Sequence, residues 1–341
     1  MCGRYRGGTF EPLPGERLGE RPVRLCHAAV ALATLLLAAC TSAGDTMPLR
    51  VGVNPWIGYL PFQLAAERGL SPPPGVHPVD FASTSQVVRA LENGNIEAGC
   101  MTLDEALTAA DRLPDLRAVM VLDYSAGADG ILALHDGADL HDMAGARIGV
   151  SNTTMGAYLL DRALDRAGLT RGAVTAVPVT SENEAEMVAK GRIDFLVTFE
   201  PMLSRIKRRG AHLVFSSADI PGEIVDVLVT REGTLTRRAD DLRALARAWD
   251  RSVDRVSSTR ARGALARLSG LGGNEIGDAL AGLHFVRSAA GAEMLRNERS
   301  SLRSSARNLN LMLFEKGFVD APALTGELFE HAIAAETGAR G

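Results

Sequence analysis

Between residues 49 and 230, short apolar runs alternate with segments whose apolar residues recur every three or four positions. That alternation restricts the fold more than any other feature of the chain. Strands are expected at 49–53, 79–81, 96–101, 118–122, 131–134, 147–150, 174–177, 193–198, 213–215 and 224–230. Helices are expected between them, the first over 61–68 with Gly69 as its stop. The next follows Ser83-Thr84-Ser85-Gln86, in which Ser83 and Gln86 have capping-box spacing; Val87, Ala90 and Leu91 share one face, and Gly94 ends it. Further helices are expected at 104–112, at 156–167 before Gly168, at 183–189 and at 201–209. Strands alternating with helices build parallel or mixed sheets covered by helices, an α/β fold. In such sheets ligands gather at the loops beyond the carboxyl ends of the strands.

Beyond Arg231 the pattern turns helical, with Leu242, Leu245, Ala246, Trp249 and Val253 forming an apolar stripe. A chain of 341 residues that is 46% hydrophobic is long enough for two lobes with sizeable cores. The formal net charge is −4, and the few lysines (Lys190, Lys207, Lys316) and many arginines form no basic tract. Nucleic acid is therefore not an expected partner, because phosphate binding needs a clustered cationic face.

The start of the chain reads as an export signal. Residues 28–39 are uniformly apolar or small and follow Arg17, Arg21 and Arg24. A membrane-spanning helix needs roughly 20 apolar residues, so this run is too short to be one, whereas it suits a secretory signal. It ends in Leu37-Ala38-Ala39-Cys40, which resembles a bacterial lipobox. The resemblance implies cleavage before Cys40 and lipid attachment there, each buried acyl methylene contributing roughly 0.8 kcal/mol to membrane anchoring. Residues 1–39 are thus expected to leave as signal peptide, with translation expected to start downstream of 1–22. Residues 40–48 would form the lipidated end and its tether. With Cys2 and Cys26 gone and Cys40 as anchor, only Cys100 remains, in an apolar stretch that suits packing. No internal disulfide or cysteine metal site is possible.

The strand-end loops carry acids, amides and hydroxyls. No phosphate-binding Gly-rich loop, dinucleotide fingerprint or Gly-x-Ser-x-Gly elbow is present. No catalytic residue, cofactor or metal is therefore expected, and His135 and His141 with Asp136, Asp139 and Asp142 read as a solvated loop between lobes. The turn after the first strand holds Asn54, Trp56 and Tyr59, whose rings could cap a ligand group or simply cover the core. Thr102 and Asp104 sit where a strand gives way to a helix, and Asp104 would equally serve as that helix's cap. Ser151, Asn152, Thr153 and Thr154 precede the helix from 156, where exposed N–H groups and hydroxyls suit an anion. Asp129, Glu200 and Asp226 add acids at three strand ends. Together these acids imply a negative pocket wall, favouring a cationic or zwitterionic ligand, or one rich in hydroxyl donors, over nitrate or another bare anion.

Several segments in order carry a family resemblance. They are Val51-Gly52-Val53-Asn54-Pro55-Trp56-Ile57-Gly58-Tyr59, Ala65-Ala66-Glu67-Arg68-Gly69-Leu70 and Ala90-Leu91-Glu92-Asn93-Gly94-Asn95-Ile96-Glu97-Ala98. Met143-Ala144-Gly145-Ala146-Arg147-Ile148-Gly149-Val150, Gly191-Arg192-Ile193-Asp194-Phe195-Leu196-Val197-Thr198-Phe199-Glu200-Pro201 and Ile224-Val225-Asp226-Val227-Leu228-Val229 complete the set. Over residues 49–230 the chain resembles the substrate-binding proteins of nitrate/sulfonate/taurine-type ABC importers. Phe199 departs from the tryptophan that family often has before Glu-Pro.

The resemblance implies a periplasmic-binding-protein type II fold: two α/β lobes with mixed sheets, a two-strand hinge and a ligand cleft. The lobes are expected at 49–134 plus 226–341 and at 135–225. The implied role is a lipid-anchored, monomeric, extracytoplasmic protein that closes over a small polar solute, amine-bearing or taurine-like. It would deliver that solute to a permease and its ATPase subunits. The implied contacts are the Asn54–Tyr59 turn, the Thr102–Asp104 loop, the helix start at Ser151–Thr154 and Glu200; a Glu200→Gln change is expected to weaken binding. A ligand sensor without transport remains an alternative. So does a thiamin pyrimidine-precursor synthase, although the cysteine-rich motif of those enzymes is missing.

Overall fold

The computed structural model describes residues 47–68, 75–151, 153–180, 182–322, 325–329 and 331–334. The signal segment, the tether up to residue 46, Cys40 and Asn152 lie outside the described residues. Among those described, no helix is long and apolar enough to cross a membrane.

The first lobe begins with β1 (Leu49–Val53), a 3-10 turn (Ile57–Tyr59) and α1 (Leu60–Glu67). Then come β2 (Val76–Asp80), α2 (Thr84–Glu92), β3 (Ala98–Thr102), α3 (Leu103–Arg112) and β4 (Leu116–Ser125). The chain next builds a second sheet from β5 (Asp129–Ala133), β6 (Arg147–Ser151), α4 (Thr154–Ala167), β7 (Thr175–Val179), α5 (Glu184–Ala189), β8 (Phe195–Phe199), α6 (Met202–Lys207) and β9 (His212–Ser216). It returns with β10 (Val225–Arg231), then α7 (Glu232–Arg237), α8 (Ala239–Val256), α9 (Thr259–Ser269), α10 (Glu275–Ala281), β11 (Leu283–Phe285), α11 (Ser288–Arg296), α12 (Ser301–Glu315) and α13 (Thr325–Leu328). The six-stranded sheet runs β11-β4-β10-β3-β1-β2 and the five-stranded sheet runs β7-β6-β8-β5-β9. Both are mixed: β1 is parallel to β2 and β3 while β10 is antiparallel to β3 and β4, and β6 is parallel to β7 and β8 while β5 is antiparallel to β8 and β9.

Each sheet is packed on both faces. Alternation along β10 sends Val225, Val227 and Val229 to one core with Val87, Leu91 and Leu309. Leu228 goes to the other, with Val51, Phe62, Leu245 and Trp249. The predicted stripe on α8 is this second contact: Leu242, Leu245, Ala246 and Trp249 are fully buried, and the Trp249 indole donates to the Val286 carbonyl at 2.8 Å. Cys100 is buried in the same core, as its apolar neighbours implied.

One boundary and one strand differ from the sequence expectation. The first sheet is left after Ser125, because Asp129–Ala133 pairs with β8 and β9, so residues 129–134 belong with the second sheet. The apolar run at 131–134 has no feature of its own that assigns it to one sheet; pairing decides. The edge strand β11 was also hidden, as three residues are too few for a period. The segment holding His135 and His141 lies between β5 and β6, within the second lobe instead of between lobes, and among the described residues no three potential ligands converge on a metal site.

The two crossings, 126–128 and 217–224, are tied to each other. Ser125 and Ser217 share a hydroxyl hydrogen bond of 2.7 Å, and Ser217 Oγ also accepts from Gly127 N–H at 2.7 Å. Ser125 N–H donates to the Ile224 carbonyl at 3.0 Å. Gly282 backs the first crossing: its carbonyl accepts from Ala126 N–H at 2.7 Å, and a Cβ there would meet backbone atoms of Gly127 and Ala128.

Candidate functional site

Beyond the carboxyl end of β1 the chain turns at Asn54. Its Oδ1 accepts from Trp56 N–H at 3.0 Å, and its Nδ2 donates to Thr84 Oγ1 at 2.9 Å. This Asx turn sets the 3-10 turn on the sheet, where the Tyr59 hydroxyl donates to Asp226 Oδ1. Gly58 allows the close approach: a Cβ there would collide with the Trp56 indole and the Asp123 carboxylate.

The floor is built by neighbouring strands. Asp226 on β10 stands opposite Thr102 on β3 and opposite Asp123 on β4. Thr102 ends its strand and caps α3, its N–H donating to the Glu105 carboxylate at 3.1 Å, which places Asp104 in the helix's first turn. Asp129 opens β5, its N–H donating to Ser125 Oγ at 3.2 Å. Asp104, Asp123, Asp129 and Asp226 are all buried, and each leaves at least one carboxylate oxygen without a hydrogen-bond donor.

The roof comes from the second lobe, through Thr153, Met155 and Phe199. Trp56 and Phe199 meet edge to face across the cleft, with ring centroids 5.8 Å apart. Beneath them lies a small cavity of about 50 Å³ reaching Tyr59, Thr102, Glu105, Asp129 and Asp226. It adjoins a wider mouth of about 310 Å³ edged by Ser83, Thr84 and Ser85 at the start of α2 and by Ser151, Thr153 and Thr180. Among the described residues lining either space, none is basic.

Uncompensated burial shows in the titration of the acids. Burial, then the charge of Asp129, raises Asp123 to about 8. Burial raises Asp129 to about 7, and burial followed by Asp104 does the same for Glu105. Asp226 is raised well above its usual range by burial and then by Asp123, and Tyr59 by burial and then by Asp226. Where carboxylates are buried together, repulsion and desolvation both favour the protonated forms.

The family model described as NMT1-like matches residues 42–270. The chain belongs to the NMT1-like family. Among curated proteins no sequence matches this NMT1-like chain. Its fold is similar to that of the alkanesulfonate-binding protein SsuA of Xanthomonas axonopodis pv. citri bound to MOPS, with TM-score 0.70 and 18% identity over 84% of this chain and 99% of that one. The periplasmic nitrate-binding protein NrtA of Synechocystis PCC 6803 superposes with TM-score 0.68 and 11% identity, covering 86% of this chain and 88% of that one. The desulfurization enzyme DSZB also superposes, with TM-score 0.59 and 15% identity over 84% and 96% of the two chains. The NMT1-like chain therefore has the periplasmic-binding-protein type II fold that its sequence resemblance implied.

Of the residues singled out in the sequence, Asn54, Trp56, Tyr59, Thr102, Asp129, Thr153 and Asp226 border the inner cavity of this NMT1-like protein, and Ser151 borders its mouth. Asp104 lies buried beside the floor. Thr154 starts α4 and borders a separate space with Arg171 and Phe318. Glu200 borders neither space: its Oε1 accepts from Ser204 Oγ at 2.7 Å and its Oε2 from Ser204 N–H at 3.2 Å, so the carboxylate is engaged by α6, although its charge still acts on Asp129.

Sequence reasoning missed Asp123, Glu105, Met155, the hydroxyls at 83–85 and the lining role of Phe199. Glu105 was visible through Thr-x-x-Glu spacing. Asp123 was visible as an acid directly continuing the apolar run 118–122.

Proposed function

We propose that this chain is the extracytoplasmic solute-binding component of an ABC importer and that its cleft takes a small, polar, amine-bearing solute. One observation carries the reading: Glu105, Asp129 and Asp226 border a cavity with no basic lining residue among those described, and Asp104 and Asp123 are buried behind them. A buried charge without a partner is costly, and an ammonium group would supply that partner. A bare anion such as nitrate would meet like charge instead. The hydroxyl-lined mouth, with the starts of α2 and α4 nearby, suits an opposite polar or acidic end, so a zwitterion would enter amine first. Trp56 from one lobe and Phe199 from the other close over the solute, and a solute touching both lobes favours the closed arrangement. The lipobox-like Cys40 supports a membrane anchor, with permease and ATPase subunits as partners and the binding protein itself a monomer.

Family membership and the fold shared with sulfonate- and nitrate-binding proteins support transport as the role. The same fold carries the enzyme DSZB, but Cys100, the single cysteine among the described residues, is buried in the sheet core and reaches no cavity lining named above. The test is a thermal-shift screen of the domain beginning at residue 41 against amines, amino acids, sulfonates and oxyanions. A ligand at 100 times its Kd adds roughly 2.7 kcal/mol of stability, enough to move the midpoint visibly. Hits confined to amine-bearing compounds support the reading; hits confined to oxyanions overturn the charge argument.

A further inference from the structure

The carboxylates of Asp226 and Asp123 occupy paired positions on β10 and β4, fully inside the protein, and Asp226 already accepts the Tyr59 hydroxyl. Both oxygens of Asp123 and the second oxygen of Asp226 are buried without a donor. Two adjacent carboxylates in a site of low dielectric cannot both stay ionised without a cation. We propose that the ligand-free floor holds a proton shared between Asp123 and Asp226, and that an organic cation enters in exchange for it. In that exchange the ammonium group of the solute enters the cavity against Asp226, the member of the pair that borders it, the O–H bond breaks, and the proton leaves to bulk water. This deepens the amine-binding reading and rests on it.

The surroundings leave the shared proton as the internal compensation. Tyr59 faces the pair from the 3-10 turn, Cys100 from β3, Glu105 from α3 and Asp129 from β5, and each is neutral or acidic. The Trp56 indole lies beside Asp123 over Gly58 and adds a neutral donor surface. Their charge raises the proton affinity of the pair, as the upward shift of Asp123 to about 8 and the larger rise of Asp226 reflect. A metal ion is a poor occupant, since no three potential ligands among the described residues converge on one point.

The exchange has a signature that simple charge attraction lacks. Below the pKa of the pair, cation affinity should rise about tenfold per pH unit for each proton released. The experiment uses the domain from residue 41 and, as probe, any compound from an amine panel (ethanolamine, putrescine, β-alanine, taurine) that raises its thermal midpoint. Addition of the amine to the protein in unbuffered salt solution at neutral pH, with the released protons titrated back on a pH-stat, counts the protons released without an amine buffer competing for the site.

About one proton released per amine, with affinity rising from pH 6 to pH 7, is the expected result. An amine that binds with no proton released and flat affinity overturns the exchange and leaves the amine reading standing. No amine binding at any pH overturns both.

The ligand-free protein gives a second measurement. Infrared difference spectra between Asp123→Asn and the unchanged protein near neutral pH should show loss of a protonated-carboxyl carbonyl band. Absence of that band from the unchanged protein overturns the shared proton whatever the ligand.

Discussion

Asp226 of β10 lies in register with Asp123 of β4, two acids on adjacent central strands at the crossing between sheets, with Tyr59 hydrogen-bonded to the first and Gly58 pressed on the second. Their strand neighbours Val121, Leu122, Val225 and Val227 are apolar and buried. The pair therefore costs stability in the empty protein. That cost is tolerable for a group whose partner arrives from outside, because ligand binding then removes the penalty and selects the filled state.

The same pair sets how stability depends on pH. Asp123, Asp129 and Asp226 have folded pKa values above those of the unfolded chain, so the folded state binds more protons between roughly pH 4 and pH 8. Stability contributed by these protons is present at the acid end and lost as pH rises through the folded values. Glu97 and Glu223 are shifted the other way by Arg50 and Arg162, despite partial burial, but their contribution is lost only as pH falls below the usual carboxylate range. The ligand-free domain should therefore have a higher thermal midpoint near pH 5.5 than near pH 8, by several degrees. Asp123→Asn should flatten that slope and raise the midpoint at pH 8. Scanning calorimetry across the range checks both, and a midpoint that rises toward pH 8 in the unchanged protein would contradict the assignment.

Gly58→Ala tests the contact between the turn and the floor. A methyl group at this position drives into the Trp56 indole and the Asp123 carboxylate, both of which line or underlie the cavity. Overpacking of this kind costs about 1–3 kcal/mol. The variant should fold, with a lowered midpoint, and lose ligand binding by tenfold or more. Unimpaired affinity for an amine that stabilises the unchanged protein would place the ligand away from Trp56.

Glu200→Gln has a different expected outcome in the structure than in the sequence. By position alone Glu200 reads as a ligand contact after β8. Its carboxylate is instead engaged by both the N–H and the hydroxyl of Ser204, and burial is what raises its pKa. The amide keeps one acceptor for Ser204. Affinity should change less than about threefold, with a midpoint loss corresponding to about 0.5–1 kcal/mol, the scale of a weakened cap. Titration of the variant beside Asp129→Asn separates the two, since only the latter should abolish amine binding.

Glu200 also shows where the sequence stops being informative. Alternating periods placed nearly every strand and helix between 49 and 230, because each sheet is buried on both faces and each helix on one. The strand ends followed, and with them Asn54, Tyr59, Thr102, Asp129 and Asp226. Which way an acid points from a strand end was not legible, since a cap and a ligand contact use the same residue types at the same place. Asp123 was missed because a buried acid inside an apolar strand contradicts the pattern that defines the strand. Violations of that kind mark functional positions. The crossing at Ser125 to Asp129 was set by which strands β5 pairs with, a long-range choice that no local period encodes.

Closure should also respond to a contact remote from the ligand. Lys316, just after α12 in the first lobe, pairs with Asp161 on α4 in the second at 3.1 Å, and Arg171 holds the other Asp161 oxygen at 2.7 Å. Arg171 and Asp161 belong to one lobe and stay together whatever the cleft does. Of Asp161's two bonds only that to Lys316 spans the lobes, where it is joined by the Arg208–Glu275 pair at 2.7 Å and the Arg205 hydrogen bond to the Ser269 carbonyl at 2.9 Å. The Lys316 side chain is 43% exposed, so the bond contributes at most about 1 kcal/mol, equivalent to roughly a fivefold change in an equilibrium. If the closed arrangement depends on it, Lys316→Met should weaken affinity for a stabilising amine two- to fivefold while leaving the ligand-free midpoint within a degree or two. Raised salt should weaken the unchanged protein toward the variant, since an exposed pair is screened. Equal affinities for the two proteins at low salt would mean that the pair survives opening, and that the lobes turn about an axis close to α12.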